Sequence, residues 1–181
     1  TIGFLQENPS PAATRVHIDL AERSYPIDIG CGLLGNALAY QHLPRAATAL
    51  VVSNTTVAPL YAAPLMQALQ GHYARVLLVT LPDGEVHKDW PTLQLIFDAL
   101  LENGCDRKTV LFALGGGVVG DMTGFAAARY MRGVPLGQGP TTPLAQVGSS
   151  VGGQPDQHHT HGKTRGGGVT KPFQWRAIGR H

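Results

Sequence analysis

Residues 111–124 read LFALGGGVVGDMTG, and this stretch decides the fold. An apolar run typical of a buried strand is followed by three glycines and then by residues typical of a helix. Gly115, Gly117 and Gly120 have the G-x-G-x-x-G spacing. Glycines at that spacing let the backbone approach an anion closely and present free amides at a helix N-terminus. The stretch therefore indicates a phosphorylated nucleotide as ligand, although the same glycines can serve close helix–strand packing alone.

Predicted strands and helices alternate along the chain around this stretch. Strands are predicted over 48–52, 75–79 and 110–114, and helices over 30–40, 57–69, 90–101 and 118–131. Two alternating segments, 15–20 and 25–29, predict a hairpin ahead of them. We therefore expect an α/β fold, a Rossmann-like parallel sheet with helices on both faces, preceded by an N-terminal β-hairpin.

Composition changes along the chain and divides it into three parts. Residues 1–13 contain proline and serine without periodicity, and we expect a flexible start there. Residues 14–147 are expected to form the α/β domain. Residues 148–171 are rich in Gly, His, Gln and Thr and poor in apolar residues, so we expect an irregular tail over 148–181.

The overall composition argues against several classes of protein. The 181 residues suffice for one domain with a core, and 43% of them are hydrophobic while 14% are charged. A net charge of +2 without a basic run does not favour a nucleic-acid partner, and no apolar stretch approaches the length of a membrane span. Cys31 and Cys105 are too few and too far apart for a disulfide framework, which favours thiols in a reducing cytoplasm.

Three loops that follow predicted strands carry polar residues. They contain Asn54, residues 83–88 and residues 115–120, and the carboxyl ends of parallel strands share one edge of a sheet. No acidic residue lies about 20 positions after the glycines to hold a ribose, so Asn54, Asp83 and Glu85 are candidates for that role. Taken alone, the 83–88 stretch is also typical of a solvated turn that enters a helix.

Two further polar stretches follow the last predicted helix. Thr141, Thr142 and residues 147–153 offer hydroxyls and flexible amides for phosphate or sugar oxygens, or form an ordinary loop. The histidines of residues 158–161 form a short tract that is more typical of adventitious metal binding than of a built metal site.

Taken together, these segments resemble the 3-dehydroquinate synthase family, the NAD-dependent cyclising lyases of the shikimate pathway. The resemblance covers nearly all of residues 14–153 and is far more specific than the glycine spacing alone. The matching stretches are ERSYPI at 22–27, SNTTVAPLY at 53–61, LPDGE at 81–85 with Lys88, ALGGGVVGD at 113–121, GFAA at 124–127, YMRGV at 130–134, PTT at 140–142 and SSVGG at 149–153.

The resemblance implies an NAD-binding role for the α/β domain and for positions within it. The adenosine half of NAD would be held by Asn54, Asp83, Glu85 and Lys88. The pyrophosphate would be held by backbone amides of Gly116, Gly117, Val118, Val119 and Gly120. The nicotinamide ribose would lie near Asp121, and the cofactor site would also be lined by Thr141 and Thr142.

The resemblance also implies the reaction and its catalytic residues. In the family, NAD transiently oxidises a substrate hydroxyl so that phosphate can leave, the hydride returns, and the opened sugar closes as a carbocycle. This implies conversion of 3-deoxy-arabino-heptulosonate 7-phosphate to 3-dehydroquinate and phosphate. Arg132 would reach the substrate phosphate across a homodimer interface, and Lys163 matches a family active-site position. The expected partner is thus a small sugar phosphate, without nucleic acid or membrane, in the cytoplasm.

A divalent metal, zinc or cobalt, is expected for the full-length family. Its ligands, one glutamate and two histidines, belong to a helical domain that continues beyond the matched region, and we expect none of them in this sequence. The family's Asp and Lys in its VDSSVGGK stretch are replaced here by Gly148 and Gln154, and beyond Lys163 the resemblance fades. A fragment, a changed reading frame and a short paralogue all explain these departures.

These departures leave more than one function open. We expect the chain alone to be inactive as a 3-dehydroquinate synthase and to represent its NAD-binding half. The alternatives are an NAD-binding module without chemistry and another sugar-phosphate cyclase. Glycerol-dehydrogenase-like proteins also share the architecture.

Overall fold

The computed structural model describes residues 43–141, the positions Leu34 and Tyr40, and the backbones of four strands outside that range. In chain order the strands are β1 (Thr14–Ile18), β2 (Tyr25–Ile29), β3 (Thr48–Asn54), β4 (Arg75–Leu81), β5 (Val110–Gly115), β6 (Leu136–Pro140), β7 (Asp156–His159) and β8 (Gly162–Arg165). The α-helices of this part are α1 (Ala58–Gln70), α2 (Trp90–Glu102) and α3 (Gly117–Arg129). Among these helices, none has both the length and the apolar character that crossing a bilayer requires.

Four of the strands form a parallel sheet in the order β4–β3–β5–β6. Strand β3 lies between β4 and β5, and all seven of its residues are buried. A strand covered on both faces of a parallel sheet has a continuous apolar run, as residues 49–52 do. The predicted Rossmann-like sheet is confirmed, and β3, β4 and β5 extend one or two residues past their predicted ends.

Helices cover both faces of this sheet, as predicted. Leu50 and Val52 of β3 belong to a core that contains buried residues of α2 and α3. Ala49 and Val51 belong to a second core, which contains buried residues of α1. Because successive residues of a strand point to opposite faces, one short strand supplies both cores.

The predicted N-terminal hairpin is also confirmed. Strands β1 and β2 pair antiparallel, with Val16 opposite Ile27. The predicted helix over 30–40 lies outside the described residues except for Leu34 and Tyr40, which are buried. Within the tail, β7 and β8 pair antiparallel, and the other residues of 148–181 lie outside the described part.

Strand β6 was missing from the sequence prediction. Its sequence, LGQGP, contains two glycines and a proline, which are unfavourable in strand interiors. It pairs with β5 nevertheless, with Leu136 opposite Leu111 and Pro140 opposite Gly115. Proline is tolerated there because β6 lies at the edge of the described sheet.

Helix α3 ends at Arg129, two residues before its predicted end at 131. The reason is backbone conformation: Met131 has a φ of 48°, Arg132 of 67° and Gly133 of 110°. Non-glycine residues enter this left-handed region at a cost of about 1–2 kcal/mol each, so the surrounding structure must fix them. The Gly133 amide donates to the Tyr130 carbonyl at 2.8 Å, which closes the turn.

Cys105 is a free, buried thiol in the described part of the chain. Burial raises the pKa of the Cys105 thiol above its usual range. The Tyr130 hydroxyl donates to the Cys105 carbonyl at 2.6 Å and ties the turn after α3 to the loop before β5. Cys31 lies outside the described residues.

Helix α2 begins with a side-chain cap whose effect depends on pH. The Asp89 carboxylate accepts a hydrogen bond from the Thr92 amide at 2.9 Å. Hydrogen bonds from Thr92 hold the pKa of Asp89 below its ordinary value of 3.8. A carboxyl whose pKa is lowered on folding stabilises the fold above its ordinary pKa, and this contribution disappears as the pH falls through the native pKa.

We therefore expect Asp89→Ala to lower the free energy of unfolding at about pH 7, and this loss to shrink as the pH is lowered toward about 2. Asp89→Asn is the matched control, because its amide oxygen also caps a helix but does not titrate. Urea unfolding across a pH series measures both variants. A loss for Asp89→Ala that stays constant over the whole series would contradict the assignment.

Candidate functional site

The order of the strands creates a crevice between β3 and β5. From β3 the chain passes through α1 to β4 on one side, and from β5 it passes through α3 to β6 on the other. Helices α1 and α3 pack in the cores on opposite faces of the sheet. In parallel α/β sheets, ligands bind where the strand order diverges in this way, beyond the carboxyl ends of the strands. The ends of β3 and β5, at Asn54 and Gly115, flank that position.

Hydrogen bonds hold the two strand ends together. The Ser53 side chain is completely buried, and its hydroxyl donates to the Leu114 carbonyl of β5 at 2.8 Å. On the far side of β5, the Thr141 amide donates to the Gly115 carbonyl at 3.0 Å. The glycine turn thus starts from a strand end that is fixed on both sides.

Helix α3 starts at this fixed position, and its first amides have no acceptor within the helix. Gly116 is its N-cap, and the first amide bond inside the helix runs from Gly120 to the Gly116 carbonyl at 3.0 Å. By helix geometry, the amides of Gly117, Val118 and Val119 have no acceptor within the helix. Together with the positive end of the helix dipole, these amides favour an anion at this position.

The glycines of the turn have different roles. A Cβ added to Gly115 would lie 2.9 Å from Val119 Cγ2 and 3.0 Å from its Cβ, so Gly115 allows the close packing of β5 against α3. A Cβ added to Gly117 or Gly120 would meet no described atom within 4 Å, leaving aside its two chain neighbours and the backbone of its own helix. Among the described residues, packing therefore requires Gly115 but leaves space at Gly117 and Gly120, where a ligand can approach.

The loop after β4 is bonded to the end of β3. The Asp83 carboxylate accepts the Asn54 side-chain amide at 2.7 Å on one oxygen and the Thr56 hydroxyl at 2.7 Å on the other. Asn54 also accepts the Val57 amide at 2.8 Å and so orients the start of α1. The first and second predicted loops are therefore in direct contact.

The same loop also contacts helix α3. Lys88 Nζ lies 2.7 Å from Asp121 Oδ2 and 3.7 Å from Glu85 Oε1. The Lys88 side chain is only 11% exposed, whereas that of Glu85 is 67% exposed. A partly desolvated cation depends strongly on its partner, so this ion pair fixes the loop over the start of α3.

One buried hydroxyl at this edge has no hydrogen-bond partner among the described residues. Thr141 Oγ1 is buried and forms no hydrogen bond with the described residues, although the Thr141 amide is bonded to Gly115. A buried hydroxyl without a partner costs free energy that a hydrogen bond to a ligand can offset. The free amides of α3, the open glycines and this hydroxyl therefore fit a phosphorylated ligand with further polar groups.

Comparison with known proteins agrees with this geometry. A sequence model described as the 3-dehydroquinate synthase N-terminal family matches residues 78–175, more than half of the chain. The chain belongs to this family. The matched region contains the β4 loop, the glycine turn and the whole of α3.

Solved structures with the same fold extend the comparison. A 2-deoxy-scyllo-inosose synthase complexed with carbaglucose-6-phosphate, NAD⁺ and Co²⁺ is 23% identical, with a TM-score of 0.80 over 92% of this chain and 46% of that one. A 2-epi-5-epi-valiolone synthase from Streptomyces hygroscopicus subsp. jinggangensis 5008, with NAD⁺ and Zn²⁺ bound, is 25% identical, with a TM-score of 0.69 over 99% and 45%. A maleylacetate reductase from Rhizobium sp. strain MTP-10005 is 23% identical, with a TM-score of 0.62 over 91% and 43%. This 3-dehydroquinate synthase family member thus spans just under half the length of these structures.

Most of the predicted cofactor residues of this family member lie at one edge of the sheet. Each of these residues either contacts another member of the set or is adjacent to one in the sequence, except Thr141, which is bonded to Gly115 directly before the turn. The set contains Asn54, Asp83, Glu85, Lys88, Asp121, Thr141 and the turn formed by Gly116, Gly117, Val118, Val119 and Gly120. Thr142 lies outside the described residues. Lys163 is described only as backbone in β8, so its predicted catalytic role is untested.

Arg132 is separated from this edge. It follows α3, whose 13 residues make the helix about 20 Å long, whereas the glycine turn lies at the other end of that helix. Arg132 is exposed, in the left-handed turn described above. Within one chain it therefore cannot contact a ligand bound at the N-terminus of α3.

Two residues that shape the edge were not singled out from the sequence. Ser53 and Thr56 lie within the matching SNTTVAPLY stretch, but their partners, Leu114 and Asp83, are 61 and 27 positions away. In the sequence, these residues could have been found only as part of a cluster of four polar residues, 53–56, directly after the apolar run of residues 49–52. Such a cluster marks a strand end but does not identify the acceptors.

The described part of the chain lacks a cluster of metal-ligating side chains. No three His, Cys, Asp or Glu side chains among the described residues are placed to hold a metal ion together. The histidine tract of residues 158–161 is described only as strand backbone at His158 and His159. The role of that tract is therefore untested.

We expect Gly115→Ala to destabilise this family member by about 1–3 kcal/mol, because its Cβ would clash with the stiff, buried Val119 side chain. Gly117→Ala is the matched control in the same turn and should change the free energy of unfolding by less than about 0.5 kcal/mol, since its Cβ meets open space. Urea unfolding measures both. Equal stability of the two variants would show that Gly115 has no packing role.

Proposed function

We propose that the crevice between β3 and β5 binds NAD, with the pyrophosphate on the backbone amides of residues 116–120. The observation that carries this proposal is the start of α3, where, among the described residues, amides without an acceptor and glycines with free space beside them lie at the divergence of the strand order. A diphosphate matches both the positive helix end and the glycine positions of the turn, Gly116, Gly117 and Gly120, which carry no side chain. That related folds are solved with NAD⁺ bound supports the same ligand.

The remaining parts of NAD are assigned to the neighbouring loops. We place the adenosine half at the loop of residues 83–88 and the end of β3, where the exposed Glu85 carboxylate can accept ribose hydroxyls. We assign the nicotinamide ribose to Asp121 of α3, to the Thr141 hydroxyl, which has no partner among the described residues, and to Thr142.

We further propose that the complete protein is a 3-dehydroquinate synthase. The ordered stretches LPDGE, ALGGGVVGD and PTT support this assignment, together with the family match. Bound NAD supplies reversible hydride transfer with the substrate, 3-deoxy-arabino-heptulosonate 7-phosphate. In this proposal, Lys163 acts at the substrate, and Arg132 binds the substrate phosphate of a partner subunit in a cytoplasmic homodimer.

The proposed reaction needs more than the described residues supply. The solved relatives are roughly twice as long as this chain, and two of them contain Co²⁺ or Zn²⁺. We therefore assign a divalent metal, which would polarise the oxygen of the substrate, to the complete protein. The described residues contribute the cofactor half of such a site.

A second candidate activity is that of another sugar-phosphate cyclase. The solved structures that share this fold include a 2-deoxy-scyllo-inosose synthase and a 2-epi-5-epi-valiolone synthase, at similar identity. The fold and the NAD site do not separate these substrates. A third candidate is a module that binds NAD but catalyses no reaction. It is favoured by Gly148 and Gln154, which replace charged residues of the family.

We expect the wild-type chain to bind NAD with a 1:1 stoichiometry in isothermal titration calorimetry. Gly117→Ala should weaken this binding about tenfold or more, because its methyl group enters the space next to the free amides. The variant is suited to the test because it is expected to keep normal stability. No heat on titration of folded wild-type chain, or unchanged affinity in the variant, would refute the proposed cofactor site.

We expect the 181-residue chain alone to release no phosphate from 3-deoxy-arabino-heptulosonate 7-phosphate in the presence of NAD and Zn²⁺. A phosphate-release assay measures this, with a complete 3-dehydroquinate synthase as the positive control. Turnover by the chain alone would overturn the expectation that catalysis needs the rest of the protein. Release from other sugar phosphates but not from this substrate would favour the second candidate activity.

A further inference from the structure

We infer that Thr56 is a positioning residue, which acts through Asp83 to orient the loop of residues 83–88 for the cofactor. This inference rests on the proposed NAD site and deepens it. It also changes the role of Asp83, which was expected to bind adenosine directly. In the described structure the carboxylate of Asp83 is used to join two loops.

The contacts of Asp83 carry the inference. Its two carboxylate oxygens are each bonded to a different side chain of the segment after β3, one to Asn54 and one to Thr56, both at 2.7 Å. Such short distances are typical of hydrogen bonds to a charged acceptor. Two bonds to the two oxygens fix the plane of the carboxylate, whereas one bond would let it rotate.

Asn54 provides the fixed half of this arrangement. It is buried, with 7% of its surface exposed, and its amide both donates to Asp83 and accepts from the Val57 amide at 2.8 Å. Asn54 is thus fixed by burial and by α1. Thr56 is exposed and supplies the second bond that stops Asp83 from turning about Asn54.

The orientation of Asp83 sets the direction of the loop that follows. Gly84 comes next, with a φ of 114°, and leads into a single 3₁₀ turn, Glu85–His87. The backbone bonds of that turn are short-range, from the His87 amide to the Gly84 carbonyl at 3.1 Å and from the Lys88 amide to the Glu85 carbonyl at 3.0 Å, and the Lys88 side chain is paired with Asp121. So short a turn does not fix its own orientation, which depends on the ends at Asp83 and Lys88.

Three single variants test the inference. Thr56→Val removes the hydroxyl and keeps the shape of the side chain, whereas Thr56→Ser keeps the hydroxyl. Thr55→Val is the matched control, because Thr55 is also exposed and its bond to the Leu81 carbonyl uses the backbone amide. Both sites, Thr55 and Thr56, lie outside the core, so the three variants should fold, which thermal unfolding checks.

The first readout needs no ligand. Hydrogen exchange of the amides of residues 84–88, followed by mass spectrometry on the free chain, reports whether the loop is held. We expect faster exchange in Thr56→Val than in wild type and no change in Thr56→Ser or Thr55→Val. Unchanged exchange in Thr56→Val would overturn the inference whatever the chain binds.

The second readout uses NAD, ADP-ribose and inorganic pyrophosphate as ligands in calorimetry. We expect Thr56→Val to bind NAD and ADP-ribose about fivefold more weakly, and pyrophosphate as wild type does, since pyrophosphate does not reach the adenosine loop. An equal loss for all three ligands, or the same loss in Thr56→Ser, would overturn the inference. Failure of the wild-type chain to bind NAD would instead refute the proposed function.

Discussion

The candidate site depends on the position of β3, a fully buried strand paired in parallel with β4 and β5. Parallel pairing brings the carboxyl ends of all three strands to one edge, although they are far apart in sequence. The side chains that build the site can then contact one another directly. Ser53 is hydrogen-bonded to β5, Asn54 and Thr56 are hydrogen-bonded to the loop after β4, and Lys88 forms an ion pair with α3. If β3 paired in another register, none of these side chains would meet its partner.

The fold could largely be predicted from the sequence because its signals are local. Buried apolar runs, helical spacing and polar strand ends lie within single segments, and they gave the sheet, its helices and the edge that carries Asn54 and Asp83. The prediction failed where tertiary contacts override local preference. Strand β6 forms from a glycine-rich segment because β5 offers it a partner, and α3 ends early at two left-handed residues. The bonds of Ser53 and Thr56 could not be predicted because their acceptors are distant in sequence.

The separation of Arg132 from the glycine turn constrains how the protein can work. A rigid helix lies between the two, so no small rearrangement of one chain brings them to the same ligand. The left-handed turn instead holds Arg132 at the surface, fixed by the bonds of Tyr130 and Gly133. A strained, exposed and well-anchored arginine is expected where a second molecule supplies the reason for the strain. This is consistent with the proposed role of Arg132 toward a partner subunit.

The contrast between Gly115 and Gly117 bears on how such sequences evolve. Packing against Val119 is a reason to retain Gly115 in any folded relative, whereas Gly117 has no such packing contact among the described residues and would be retained for the proposed ligand. A descendant that had lost its cofactor would keep the first and accumulate side chains at the second. Two glycines separated by a single residue are therefore expected to be retained for different reasons. Comparing both positions across relatives would distinguish proteins that still bind a nucleotide from proteins that keep only the fold.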